Sequence, residues 1–272
     1  MSNIFLVLAI LFQLNYKISA IYDGTEAEIN QFPFTVMIYG PASYGAGVLI
    51  SDRHVLTAAH VIKDIFDNET VGILAGAHDL TDESGGIFVE SSKFFMHENF
   101  SMPSAVYDIG IIELPEALNF SESIQAIKIS NKKLFEYDSE DNKVELSGWG
   151  HVAYNTSTDL LHYATMRLIP LKECLKYRKY YTEYITTNNI CTMKIKGMPC
   201  NGDSGGAIVK KINGIKQVIG IASFGKDGKG EILSDCDSNM PLVSTKISSY
   251  IDWIESKTGI KIDGETENYA EN

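Results

Sequence analysis

From Phe32 to Ile247 the chain is built of short apolar or alternating runs broken by turn residues: FPFTVMIY, AGVLI, HVLTAA, VGILAG, GIFVE, DIGIIEL, KVELSGWG, GAIV, KQVIGIASF and PLVSTKI. These runs are rich in β-branched and aromatic residues and are bounded by Gly, Pro, Asn, Asp and Ser. They therefore read as strands at fairly regular spacing, the pattern of an antiparallel barrel or sandwich. Helix is scarce until ISSYIDWIESKT at 247–258, where Ile247, Tyr250, Ile251 and Ile254 share one face at helical spacing. The segment SNKKLFEYDSEDN, beginning at Ser130, is the most polar internal stretch and divides the strand-rich region into halves of about 21–129 and about 144–246. No repeat links the halves and no flexible linker separates them, so a shared interface is expected. Residues 259–272 end in KIDGETENYAEN and read as a solvated acidic tail.

Composition narrows the setting. The 272 residues carry a formal charge of −12 and no Lys/Arg-rich block, which excludes a phosphate-tracking surface and with it nucleic acid as a partner. Residues 4–14, IFLVLAILFQL, are too short to span a bilayer comfortably and are followed by Ile18-Ser19-Ala20, a signal-peptidase pattern. Residues 1–20 are expected to be a signal peptide, leaving a secreted, extracellular protein with no membrane segment after its removal. Only the amino terminus is positive ahead of the apolar run. In an oxidising compartment Cys174, Cys191, Cys200 and Cys236 form an even set without zinc-type spacing, so two disulfides are expected and no metal. Asn68, Asn99, Asn119 and Asn155 head N-x-S/T tripeptides and are glycosylation candidates.

The chemistry begins at PCNGDSGGAIV, residues 199–209. A serine hydroxyl needs a base within hydrogen-bond reach, a carboxylate to orient that base, and donors for the oxyanion that develops. GDSGG offers small residues that let backbone N–H groups converge around Ser204. The base must come from elsewhere. Among six histidines, His60 ends HVLTAAH, where an apolar strand gives way to small residues. Asp108, in VYDIGIIEL, enters a very apolar strand where burying an unpartnered carboxylate would cost several kcal/mol. Taken singly, GDSGG reads as an ordinary turn, His60 as a structural histidine, and Asp108 as a strand-end residue.

Together, and in this order, TAAH, DIGIIEL and GDSGG resemble the chymotrypsin-like serine proteases, the S1 family. IYDGTEAEINQFPFTVMI is similar to that family's mature N-terminal segment, GVLISDRHVLTAAH to its histidine region, and LSGWG, IASFG and YIDWIES to its later landmarks. The likeness runs from Ile21 to about Lys257. It implies an all-β fold of two six-stranded antiparallel β-barrels with a C-terminal helix at about 247–258, and a peptidase domain over 21–258. Carried over, it makes Ser204 the nucleophile, His60 the general base and then acid, and Asp108 the orienting carboxylate. The N–H groups of Gly202 and Ser204 form the oxyanion hole. The disulfides it implies are Cys174–Cys191 and Cys200–Cys236. The family's disulfide beside the histidine is absent, with Gly45 and Val61 at its two positions.

The resemblance also implies activation by a freed Ile21 amine pairing with Asp203. Since Ala20 precedes Ile21 in place of Arg or Lys, signal peptidase itself is expected to expose it. The pocket for the side chain before the scissile bond is expected to have Met198 at its base and Ser223, Phe224, Gly225 and Leu242 in its walls. Met198 and Leu242 would make it short and apolar, favouring small or medium aliphatic residues, elastase-like or chymotrypsin-like rather than trypsin-like. Calcium is not expected, because Ala77 stands where a carboxylate ligand would be. No cofactor is expected. The implied partners are protein or peptide substrates and protein protease inhibitors, and a monomer is expected. The alternative is a non-catalytic homologue acting as a binding or cofactor protein, since a scaffold can outlast its activity.

Overall fold

The computed structural model describes residues 21–41, 44–65, 69–82, 85–131, 142–150, 159–226 and 239–262. In chain order the strands are β1 (Thr25–Glu26), β2 (Thr35–Tyr39), β3 (Tyr44–Leu49), β4 (His54–Thr57), β5 (Val71–Ala75), β6 (Ile87–Ser91), β7 (Lys93–Met96), β8 (Gly110–Glu113), β9 (Lys128–Ile129), β10 (Lys143–Gly148), β11 (His162–Ile169), β12 (Asn189–Lys196), β13 (Ala207–Ile212), β14 (Ile215–Phe224) and β15 (Leu242–Lys246). Among the described residues three short α-helices join them, α1 (Ala59–Ile62), α2 (Leu171–Cys174) and, near the C-terminus, α3 (Ile251–Thr258), with 3-10 turns at Leu175–Tyr180 and Ile247–Ser249. α3 ends at Gly259, whose left-handed φ of 72° closes the helix, and it turns the fully buried Ile254 onto the body.

The two halves curl differently. In the second, the ladder runs β11-β10-β13-β14-β15-β12 and closes because β12 pairs back on β11, giving a six-stranded barrel. In the first, the order is β6-β5-β2-β3-β4-β8-β7. Among the described residues no ladder joins its two ends. Instead β6 and β7 are successive segments meeting at Ser92, one pairing with β5 and the other with β8, so the sheet curls round on a bend in the chain and forms a half-barrel. The small polar pair Ser91-Ser92 permits that corner, and Ser91 Oγ donates to Glu113 O at 2.6 Å, pinning it to β8.

One apolar cluster spans both sheets, and the second barrel has further clusters of its own. Val36, Ile38, Val48, Leu56, Ile73 and Ile111 from the first half lie in the same cluster as Trp149, Val209, Val218, Ile221 and Ile254 from the second. Each such side chain contributes roughly 1.5–3 kcal/mol when fully buried. Polar ties cross the seam as well: Thr35 Oγ1 and Ser147 Oγ lie 2.6 Å apart and buried, and Ala46 N donates to Ser204 O at 2.8 Å. The strands β11 and β12, HYATMRLI and NICTMKIK, are missing from the apolar runs read off the sequence. Their Lys, Arg, Thr and His break up any continuous run, and they become strands because they complete the barrel wall.

Cys174 and Cys191 are joined, linking α2 to β12 across a separation of 17 residues, a closure worth about 3 kcal/mol in the chain-entropy estimate. Cys200 is also disulfide-bonded, while its expected partner Cys236 lies outside the described residues. Residues 1–20, most of the dividing segment (132–141), and 263–272 of the tail lie outside them too.

Candidate active site

His60 sits in α1, the single helical turn that follows β4, and Asp108 sits just before β8. Since β4 and β8 are paired, Thr57 opposite Gly110, the two residues leave the sheet side by side. The helical turn exposes unpaired backbone donors at its start, and Asp108 satisfies one: His60 N donates to Asp108 Oδ1 at 2.9 Å. The His60 ring bonds the other oxygen, Nδ1 to Oδ2 at 2.8 Å. A carboxylate only accepts, so Nδ1 carries the proton and Nε2 is left as the accepting nitrogen. Ser223, near the end of β14, donates its hydroxyl to the same Oδ2 at 2.5 Å, and Thr245 Oγ1 donates to the Asp108 carbonyl at 2.7 Å.

Electrostatics follow from this enclosure. Asp108 is 1% exposed, and burial works against its charge. The His60 charge and the donors from His60 and Ser223 outweigh that, so its pKa lies below the usual carboxylate value. Burial likewise disfavours a charged His60. The Asp108 charge and hydrogen bond overcome that penalty, and the His60 pKa is raised above 6.5.

Ser204 lies in the turn between β12 and β13. Within that turn Asp203 points inward and is fully buried, while Gly202 and Ser204 stay partly exposed. Gly202 has φ of 96° and Gly205 of 83°, angles that favour glycine. A Cβ at Gly205 would also collide with Thr57 Oγ1 and the Ala46 carbonyl. Gly205→Ala is therefore expected to destabilise the protein by about 3 kcal/mol or more, read as a lowered melting temperature, because strain and overpacking add. A variant as stable as wild type would contradict that packing. Gly45 is constrained similarly, for a Cβ there would sit 2.9 Å from Ser204 O and from Val61 Cγ1. The pair Gly45 and Val61 thus packs tightly where the family's disulfide would be.

His60 and Ser204 border one cavity of about 260 Å³. No hydrogen bond joins Ser204 Oγ to His60 among the described residues. Neither Gly202 N nor Ser204 N donates an internal hydrogen bond among them, whereas Asp203 N, Gly205 N and Gly206 N all do. Two donors therefore stand open beside the serine. Ser223, Phe224, Gly225 and Leu242 line the same cavity. Met198 is not part of the lining: it is fully buried and packs behind the wall with Ile21 and Leu242.

Sequence reasoning missed part of this wall. Glu183 and Lys226 both line the cavity and form an ion pair at 3.0 Å, with side chains only 13% and 5% exposed. Met102 and Ala105 line it from the first half. Isolated charges in loops carry no periodic signal, and nothing in the sequence indicated that residues 183 and 226 would meet. The Ser223 hydroxyl, expected only as pocket wall, also proves to be a donor to Asp108.

Ile21 is fully buried in the second barrel's apolar cluster, and Met198 N donates to Tyr22 O at 2.8 Å. Asp203 accepts from Gly150 N and Cys200 N, each at 2.9 Å, and no ion pair reaches it among the described residues. Burial pushes its pKa up to about 7 in spite of those donors. Asn99 and Asn119 are exposed, while Asn68 and Asn155 lie outside the described residues.

The comparisons agree with this fold. Residues 21–254 match the sequence model of the Trypsin family. A chymotrypsin of Phaedon cochleariae is 30% identical over 87% of this chain and 81% of its own. A trypsin, Tyr p 3.0101 of Tyrophagus putrescentiae, is 32% identical over 86% of this chain and 79% of its own. The solved structure of HL collagenase superposes with a TM-score of 0.73 at 28% identity, covering 89% of this chain and all of that one. With the Trypsin match spanning nearly all of the described fold, the chain belongs to the trypsin family, the chymotrypsin-like serine endopeptidases.

Proposed function

We propose that this endopeptidase is secreted, cleaves on the carboxyl side of small or medium apolar residues, and works through Ser204, His60 and Asp108. What carries the reading is the His60–Asp108 pair with its accepting Nε2 beside the cavity that Ser204 borders. Ser204 Oγ attacks the scissile carbonyl carbon while its proton passes to His60 Nε2. The negative charge gathers on the carbonyl oxygen, within reach of Gly202 N and Ser204 N, and each such donor is worth about 3 kcal/mol in the transition state. The C–N bond then breaks, and His60 returns the proton to the departing amine. Water, deprotonated by the same nitrogen, releases the acyl group from Ser204.

The relatives bear names with different specificities, so preference is read from the cavity itself. Leu242, Phe224, Pro199 and Ala222 give it apolar walls. Glu183, the carboxylate most available to a substrate cation, is already paired with Lys226. Both features support an apolar rather than a basic preference. Activation rests on the buried Asp203, whose charge lacks a cationic counterpart among the described residues. The Ile21 amine, once freed, supplies one.

The test is labelling of the secreted protein with a fluorophosphonate, beside Ser204→Ala, with peptide mapping of the adduct and a library screen for cleavage preference. Labelling confined to Ser204, with a rate that rises with pH through a midpoint above 6.5, is the expected result. Labelling that persists in Ser204→Ala would refute the assignment. Absence of labelling on protein beginning at Ile21 would favour the non-catalytic homologue.

A further inference from the structure

Tyr107, the residue that leads into Asp108, has a backbone φ of 55°. A bulky side chain seldom adopts that left-handed region, and such an angle persists only where surrounding contacts impose it. Core burial does not impose it here, because Tyr107 is 36% exposed. Its contacts are aromatic. The Tyr107 ring stacks on His97 with centroids 4.8 Å apart and planes within 18°, and Tyr250 meets it edge-on at 6.3 Å. His97 is itself enclosed by Tyr250 at 5.5 Å and Trp253 at 5.4 Å.

This clamp is anchored on both sides. Trp253 Nε1 donates to Glu98 Oε2 at 2.9 Å and Lys257 pairs with Glu98 at 2.5 Å, so α3 holds the chain at His97. His97 N donates to Ile109 O at 3.1 Å, and Ile109 N donates to Tyr107 O at 2.8 Å, bracketing Asp108 in a tight turn. The Asp108 carboxylate must meet His60 N, His60 Nδ1 and Ser223 Oγ at once. Three donors on one short side chain leave little tolerance in where its Cα stands, and functional geometry of this kind is lost with displacements of about 0.5 Å.

We propose that Tyr107 is a positioning residue. The ring stack built from His97, Tyr250 and Trp253 holds its backbone in the left-handed region and so delivers Asp108 to His60. The tyrosine touches neither substrate nor reacting atoms and acts through Asp108. The proposal rests on the triad reading above, and it gives α3 a part in the active site beyond covering the core.

The experiment separates ring from backbone in protein beginning at Ile21. Tyr107→Phe keeps the ring, Tyr107→Gly accepts the angle without one, and Tyr107→Ala does neither. Expected for the alanine variant is a kcat lowered roughly tenfold at constant KM, with the His60 pKa in the kcat/KM profile shifted down as Asp108 loosens. Glycine should recover part of the loss and phenylalanine nearly all. The low-field proton resonance of His60 Nδ1–H, read by NMR without substrate, should weaken in the same order. Should Tyr107→Ala fail to fold, Trp253→Leu loosens the clamp from its far side and should shift the same resonance. Alanine indistinguishable from wild type in kcat, pKa and resonance overturns the proposal, as does glycine no better than alanine. A wild-type protein that has the resonance but no activity would instead count against the function reading alone.

Discussion

Asp108→Asn is expected to lower kcat by about four orders of magnitude, a loss of the size caused by holding the wrong histidine tautomer in a serine-protease triad. In the native site Oδ2 accepts from both His60 Nδ1 and Ser223 Oγ, and Oδ1 accepts from His60 N. Asparagine offers one oxygen and one N–H₂ group to these three donors. The arrangement that keeps the backbone bond turns the amide nitrogen toward the ring, so His60 must accept at Nδ1 and carry its proton on Nε2. A protonated Nε2 cannot take the proton of Ser204. Steady-state kinetics normalised by active-site titration would measure this, and a loss smaller than about tenfold would show that Asp108 does not set the tautomer. Because asparagine nearly matches aspartate in volume, the variant should remain folded, and its circular dichroism should match that of wild type.

The second large effect concerns Asp203. In the intact chain burial raises its pKa from 3.8 to about 7, against the lowering pull of Cys200 N and Gly150 N. A folded-state pKa above the unfolded value means that the fold holds the proton more tightly. The resulting stabilisation is complete below the ordinary carboxylate range and is lost as pH rises through about 7. Uncleaved protein should therefore lose thermal stability between about pH 4 and about pH 7, the span from the unfolded to the folded value. Asp203→Asn should flatten that part of the profile, since an amide has nothing to ionise. In protein beginning at Ile21 the same substitution should lower kcat at least about a hundredfold, the scale of losing an oxyanion donor, because the turn bearing Gly202 N and Ser204 N loses its anchor. Differential scanning calorimetry and kinetics on both forms would check this. Parallel pH profiles for wild type and Asp203→Asn would contradict it.

The reach of the sequence can be judged from particular residues. The short strands are legible where a run is buried on both faces, as in TVMIY of β2 and GIIE of β8. They are illegible in β11 and β12, whose outward positions hold Arg167, Lys196 and other polar side chains. A strand in a barrel wall needs only alternate positions apolar, and a bulge that leaves Ile195 of β12 without a cross-strand partner on β11, facing Thr165 and Met166, breaks even that alternation in β12. The expected pairing of the two halves is met by the shared core. The bend at Ser92 that makes one half a half-barrel left no mark beyond two adjacent serines.

At the site, His60, Asp108 and the GDSGG turn were legible through the resemblance that their contexts carry in order, and in the turn backbone geometry restricts residue choice as well. Gly205 has both a left-handed angle and no room for a Cβ. Such steric demands are local, and local demands are written directly into sequence. The cavity wall is different. Leu242 stands on it while Met198 packs behind it, and Glu183 finds Lys226 across 42 intervening positions. Which side chains meet over such separations depends on how two curled sheets close against each other, and a linear pattern does not encode that closure.

The sequence by itself determined the strand-rich character of the chain, the family it resembles, and the residue types at the reacting centre. The strands follow from alternation and turn chemistry that act within a few residues, and the resemblance, with the candidate residues carried over from it, from the order of the TAAH, DIGIIEL and GDSGG contexts. Only the tertiary structure decided that Ser223 completes the hold on Asp108, that Asp203 lies buried with its pKa near 7, and that Tyr107 packs on His97 and Tyr250 with Trp253 of α3 behind them. Those features arise from burial and from contacts between distant segments, which exist only once both halves have folded onto one core.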